Sequence, residues 1–147
     1  MPDARAAERS STDTMHAAAT EAHSAALRTL LRSLGQIVLQ ANAFTGACLV
    51  AGWLLCDPRL ACAALIGAGL HVLLGAGASS FDAGLLGFNG ALTALALTGC
   101  GVLWMLGGVA LSVALQAAAA HVGVAALSAP FVAATWSVQW LRQRAVR

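Results

Sequence analysis

The chain has 147 residues, of which 59% are hydrophobic and only 10% are charged, and it contains no lysine and no tyrosine. A soluble domain carries about 25% charged residues, so this composition excludes an ordinary soluble protein. The formal net charge of +2, with arginines gathered towards the two ends, also argues against nucleic-acid binding.

The charges are segregated along the chain. Between residues 33 and 141 the charged side chains are Asp57, Arg59 and Asp82. A membrane-spanning helix needs about 20 apolar residues, so this stretch has room for about five helices if some are short. We therefore predict an all-α integral, multi-pass membrane protein with residues 27–141 as its membrane domain.

The two ends are polar. Residues 1–26 form an alanine-rich leader that lacks the apolar core and cleavage site of a secretory signal. We expect it to be disordered or to lie on the membrane surface, with Arg28 and Arg32 anchoring an amphipathic helix over 17–32. A solvated tail without function is the alternative. Residues 142–147 form a basic tail.

Turn signals divide the apolar region into a series of predicted helices. They cover residues 34–43, 44–55, 60–78, 84–97, 102–121 and 131–141. The Asp57-Pro58 pair marks a turn, because Asp-Pro favours turn initiation and proline is tolerated at the first position of a helix. The helix over 84–97 is shorter than a full crossing.

The polar side chains inside the apolar region are neutral. Gln36 and Gln40 share a helix face and are either interhelical contacts, worth about 0.6–2 kcal/mol each, or groups that line a solute pathway. For His71 a hydrogen bond to a neighbouring helix is favoured over a proton relay. Neither a metal-ligand spacing, a C-x-x-C pair nor a catalytic set occurs. We expect no metal, no cofactor and no enzymatic activity, and a neutral solute rather than an ion.

One uncharged stretch is unusual for its polarity. Gly84-Leu85-Leu86-Gly87-Phe88-Asn89-Gly90-Ala91-Leu92 combines three glycines with an asparagine. Irregular backbone at membrane depth is tolerated where it is packed in protein or lines a cavity. The residues therefore predict a short helix that points into a solute pathway.

This stretch resembles the pore-helix signature of the urea transporters. Two further stretches resemble motifs of that family in the same order: Leu30-Leu31-Arg32-Ser33-Leu34-Gly35-Gln36 with Gln40-Ala41-Asn42-Ala43, and Leu127-Ser128-Ala129-Pro130-Phe131 with Thr135-Trp136. The resemblance implies facilitated diffusion of urea, or of a similar small neutral amide, through a trimeric channel in a lipid membrane. Each subunit of such a channel has two inverted halves, and each half has five helices and a half-length pore helix.

The resemblance also implies a set of pore residues. Gln36 would lie at one mouth, and Leu39 would take a slot position that is often aromatic in the family. Asn89 would brace the pore helix, Leu92 would form a constriction, and Ser128 would keep a hydroxyl where the family has threonine. The implied pore residues are Gln36, Leu39, Gly87, Phe88, Asn89, Leu92, Ser128 and Phe131.

The chain resembles one half of such a channel, the N-terminal half, because a glutamine stands where the C-terminal half usually has a glutamate. We expect it to pair with a separate second half or with an antiparallel copy of itself, since the pore lies between inverted repeats. A truncated, non-transporting membrane remnant or assembly subunit is the alternative. The expected location is the inner (plasma) membrane of a bacterium.

Overall fold

The computed structural model describes residues 4–74 and 87–145. Every regular element in these two ranges is helical, as the sequence predicted. The α-helices are α1 (Ala4–Gly35), α2 (Ala43–Cys56), α3 (Pro58–Leu74), α4 (Phe88–Leu97), α5 (Val102–His121) and α6 (Ala129–Ala145). Two short 3-10 helices, Gln36–Val38 and Thr98–Cys100, follow α1 and α4.

The chain turns sharply after α1. The predicted helix over 34–43 is wrong, because α1 stops at Gly35 and Leu39 adopts a left-handed conformation with φ of 60°. Gly35 permits this fold-back, since a Cβ atom there would lie 2.6 Å from the carbonyl oxygen of Asn42. The side-chain oxygen of Asn42 then accepts a hydrogen bond of 2.7 Å from the Phe44 amide and caps α2.

α2 and α5 lie close to the predicted helices over 44–55 and 102–121. α3 begins at the predicted turn, where the Asp57 carboxylate accepts a hydrogen bond of 2.9 Å from the Arg59 amide. The leader residues from Ala4 onward belong to α1, and α6 is longer than the predicted helix over 131–141. The predicted break at 79–82 and the first three residues of the glycine-rich stretch lie outside the described residues.

Few of the described helices have the length of a full membrane crossing. α5 is the one described helix that is long and apolar enough to cross by itself. Residues 14–38 and α2 pass the same test together, but they are bent by 77°, which is typical of a broken span or a re-entrant loop. α3 and α4 are apolar but shorter. The described residues thus give one span, or up to two, and the predicted number of about five crossings stays a prediction.

α4 is a half-length helix inside the bundle. Its 10 residues extend over about 15 Å, half of a hydrocarbon core of about 30 Å. It packs most extensively on α3 and also contacts α5 and α6. Ala91, Ala94 and Leu97 are fully buried. The cap residue Gly87 has φ of 107°, in the left-handed region that glycine adopts without steric cost.

α3 and α4 approach each other at a pair of glycines. A Cβ atom on Gly90 would strike the carbonyl oxygen of Gly67 and lie 2.7 Å from Cβ of His71. A Cβ atom on Gly67 would in turn strike the carbonyl oxygen of Gly90. Small residues let membrane helices approach closely. This crossing fixes the position of α4 against α3.

Candidate functional site

A cavity of about 450 Å³ lies where four segments meet: the turn after α1, the start of α4, the end of α5 and the link to α6. Its walls are formed by Gln36, Leu39, Phe88, Gln116, Ala120, Val124, Ala125, Ala126, Leu127 and Ser128. None of these described wall residues is charged. The side-chain hydrogen-bonding groups are two amides and one hydroxyl, and the other side chains are apolar. Such walls suit a neutral hydrogen-bonding solute, because an ion needs countercharges or a carbonyl cage.

Asn89 lies behind the cavity wall and joins three segments. Its side chain is 1% exposed. Its Nδ2 atom donates to Oε1 of Gln116 at 2.8 Å and to the carbonyl oxygen of Leu127 at 2.7 Å. The Thr93 hydroxyl donates to the carbonyl oxygen of Asn89 at 2.7 Å, within α4. One buried amide thus connects α4 to α5 and to the link that precedes α6.

Residues 124–127, in the link between α5 and α6, form an apolar rim of the cavity. Leu127 has φ of 44°, and a left-handed conformation costs a residue with a Cβ atom about 1–2 kcal/mol. The hydrogen bond from Asn89 holds the carbonyl group of this residue. The side chains of Val124 and Leu127 are 59% and 77% exposed, and that of Leu39, across the cavity, is 86% exposed. The rim therefore presents uncovered apolar side chains on the surface of this chain.

The structure brings half of the predicted pore residues to this cavity. Four of them line it: Gln36, Leu39, Phe88 and Ser128. Gly87 and Asn89 are buried at the start of α4, next to Phe88. Leu92 on α4 and Phe131 on α6 are partly buried and are not among the described wall residues.

Gln116 lines the cavity but was not among the predicted pore residues. Its signal in the sequence is weak: it is the one amide in α5, a helix of mostly apolar and small residues. Its partner Asn89 lies 27 positions away, so no helical spacing reveals the pair.

The described residues offer no evident metal site. Across residues 4–74 and 87–145, no three His, Cys, Asp or Glu side chains are close enough to hold a metal ion. The four cysteines are free thiols. The functional groups at the cavity are therefore its amides, its hydroxyl and the nearby backbone carbonyl groups.

Comparison with known proteins agrees with the three sequence motifs. A family model described as urea transporter matches residues 2–143, which include every residue of the cavity wall. No curated protein and no solved structure matches the chain. On the strength of the family match, the chain belongs to the urea transporter family.

Proposed function

We propose that this chain forms one wall of a passive channel for urea, or for a similar small neutral amide, in a bacterial plasma membrane. The observation that carries the proposal is the uncharged cavity at the N-terminal end of the half-length helix α4. Family membership supports urea as the solute. Weak binding to neutral groups suits a channel, because the solute must leave as readily as it enters.

The chemistry of the cavity matches the shape of urea. Urea is a flat molecule whose N–H groups and carbonyl oxygen lie in the molecular plane. Acceptors such as Oε1 of Gln36 and the Ser128 hydroxyl would therefore bind it at its edges. Apolar side chains such as Leu39 and Phe88 would contact its faces. All four residues line the same cavity.

The second part of the proposal concerns the opposite wall. The rim side chains of Leu39, Val124 and Leu127 are more than half exposed on this chain, although they border a cavity that contains polar groups. In transporters built from inverted repeats, the solute site lies between the two repeats. We infer that a second half-domain, or an antiparallel copy of this chain, covers them and closes the pore. Three such pores would assemble as in the trimeric channels that the sequence resembles.

A different function has one observation in its favour. The Asn89–Gln116 hydrogen bond joins α4 to α5, as expected of a polar contact that only holds membrane helices together. In that case the chain would be a non-transporting remnant or an assembly subunit.

Flux measurements separate the two functions. The purified chain is reconstituted into lipid vesicles. Light scattering then follows how fast the vesicles regain their volume in a urea gradient. We expect urea flux above that of empty vesicles, and a several-fold loss in Gln36→Ala. Gln139→Ala is the matched control, since Gln139 is exposed on α6 and lies outside the cavity wall. Absence of flux both for the chain alone and with a supplied second half would support the non-transporting function.

A further inference from the structure

The orientation of the side-chain amides of Asn89 and Gln116 follows from a single backbone group. The carbonyl oxygen of Leu127 can only accept a hydrogen bond, so the Asn89 atom 2.7 Å from it must be the donor Nδ2. The same Nδ2 atom lies 2.8 Å from the side chain of Gln116. The Gln116 atom that faces it must therefore be the acceptor Oε1.

This orientation leaves the donor end of Gln116 unengaged. Oε1 is the atom of Gln116 that accepts the hydrogen bond from Asn89. Nε2 of Gln116 donates no hydrogen bond to any group among the described residues. Asn89 is buried while Gln116 lines the cavity. Because Oε1 is engaged by Asn89 and Gln116 lines the cavity, its two N–H donors are the groups left to face the cavity.

We propose that Gln116 is a specificity-determining residue that donates a hydrogen bond to the carbonyl oxygen of the permeating solute, with Asn89 as the residue that positions it. This inference rests on the proposed urea conduction, and it adds a donor to a wall whose other amide and hydroxyl can serve as acceptors. A carbonyl oxygen is a strong acceptor, whereas the sulfur of a thiocarbonyl group is a weak and larger one. The residue therefore favours urea over thiourea, two solutes that share the same N–H groups.

The first test is the ratio of urea flux to thiourea flux in vesicles that contain the protein. Gln116→Glu keeps an oxygen for Asn89 and replaces the donors by an acceptor. We expect urea flux to fall about tenfold, equivalent to one hydrogen bond of about 1.4 kcal/mol, while thiourea flux changes much less. Gln139→Glu adds the same charge at an exposed site outside the cavity and should leave the ratio unchanged. A folded Gln116→Glu protein with the wild-type ratio would overturn the proposal.

A second variant and a second measurement test the proposal even if Gln116→Glu does not fold or the protein does not conduct urea. Gln116→Asn keeps an amide but withdraws it by one methylene group, so it should also lower the ratio. NMR spectra are recorded of the chain labelled with ¹⁵N-glutamine in detergent, and the side-chain resonance of Gln116 is identified as the one that is missing in Gln116→Asn. In the wild-type chain this resonance should shift when urea is added and should not shift when thiourea is added. If wild type shows this shift but no flux, urea conduction fails, and what stands is that Gln116 donates a hydrogen bond to urea. The inference is overturned if urea does not shift this resonance and, in addition, the ratio of urea flux to thiourea flux is unchanged in the variants or no flux is measured.

Discussion

The side chain of Asn89 holds the backbone of Leu127 at 2.7 Å, which ties the start of the half-length helix to the link before the last helix. The two residues are 38 positions apart, and one belongs to the glycine-rich motif while the other opens the third motif of the sequence. The same amide nitrogen reaches Gln116 of α5. The cavity wall is thus assembled around a buried donor whose partners come from different parts of the chain.

Replacement of Asn89 by aspartate should destabilise the protein and abolish flux. The new carboxyl oxygen would face the acceptors of Leu127 and Gln116, and each buried acceptor without a donor costs about 1–3 kcal/mol. We expect a loss of at least about 2 kcal/mol, visible as a lower midpoint of thermal unfolding in detergent. Asn42→Asp is the matched control, because Asn42 is exposed and aspartate caps a helix as well as asparagine does. Equal midpoints for the two variants would contradict the role of Asn89.

The glycine crossing of α3 and α4 gives a prediction about packing. In Gly90→Ala the new methyl group would strike the carbonyl oxygen of Gly67, and overpacking of this kind costs about 1–3 kcal/mol. Gly69→Ala is the control on α3, since a Cβ atom there meets nothing within 4 Å and alanine is the better helix former. Thermal unfolding should therefore show a lower midpoint for Gly90→Ala and an unchanged or higher one for Gly69→Ala. The reverse order would show that α4 does not approach α3 at these glycines.

Truncation of Leu39 tests the apolar side of the pathway. Leu39→Ala removes a side chain that lines the cavity and would contact the flat face of urea, so we expect flux to fall about threefold, the equivalent of about 0.6 kcal/mol. Leu103→Ala is the control, because Leu103 is 85% exposed, close to the 86% of Leu39, but lies outside the cavity wall. Leu39→Phe supplies a larger apolar face and should keep flux at or above that of wild type. Equal flux in the two alanine variants would exclude a slot at Leu39.

Much of the fold was predictable because its causes are local. The scarcity of charge predicts a helical membrane protein, the polar turn at Asp57-Pro58 predicts where α3 begins, and the break at 98–101 predicts where α4 ends. The helix over 34–43 was mispredicted because its end depends on contact between Gly35 and a backbone oxygen seven positions later. Apolar composition gives no sign of that contact.

The cavity was predictable only in part. The three motifs identify Gln36, Phe88 and Ser128 as neighbours by resemblance, and these residues line one cavity. Gln116 lies outside every motif, and its orientation depends on a hydrogen bond to Asn89 that joins two helices. Such pairs arise from how the helices pack, and neither hydrophobic periodicity nor motif spacing records that packing.

The cap of α2 offers a last test, since it lies at the turn that carries two cavity residues. In the wild-type chain the backbone amide of Phe44 donates a hydrogen bond of 2.7 Å to Oδ1 of Asn42. In Asn42→Ala this amide would lose its partner. Loss of an N-cap side chain costs about 0.5–2 kcal/mol, so the unfolding midpoint should fall. Because the turn also positions Gln36 and Leu39, urea flux should fall as well. Asn42→Asp restores an acceptor at the cap and should restore both stability and flux. Recovery of stability without recovery of flux would show that the cap stabilises α2 but does not position the cavity wall.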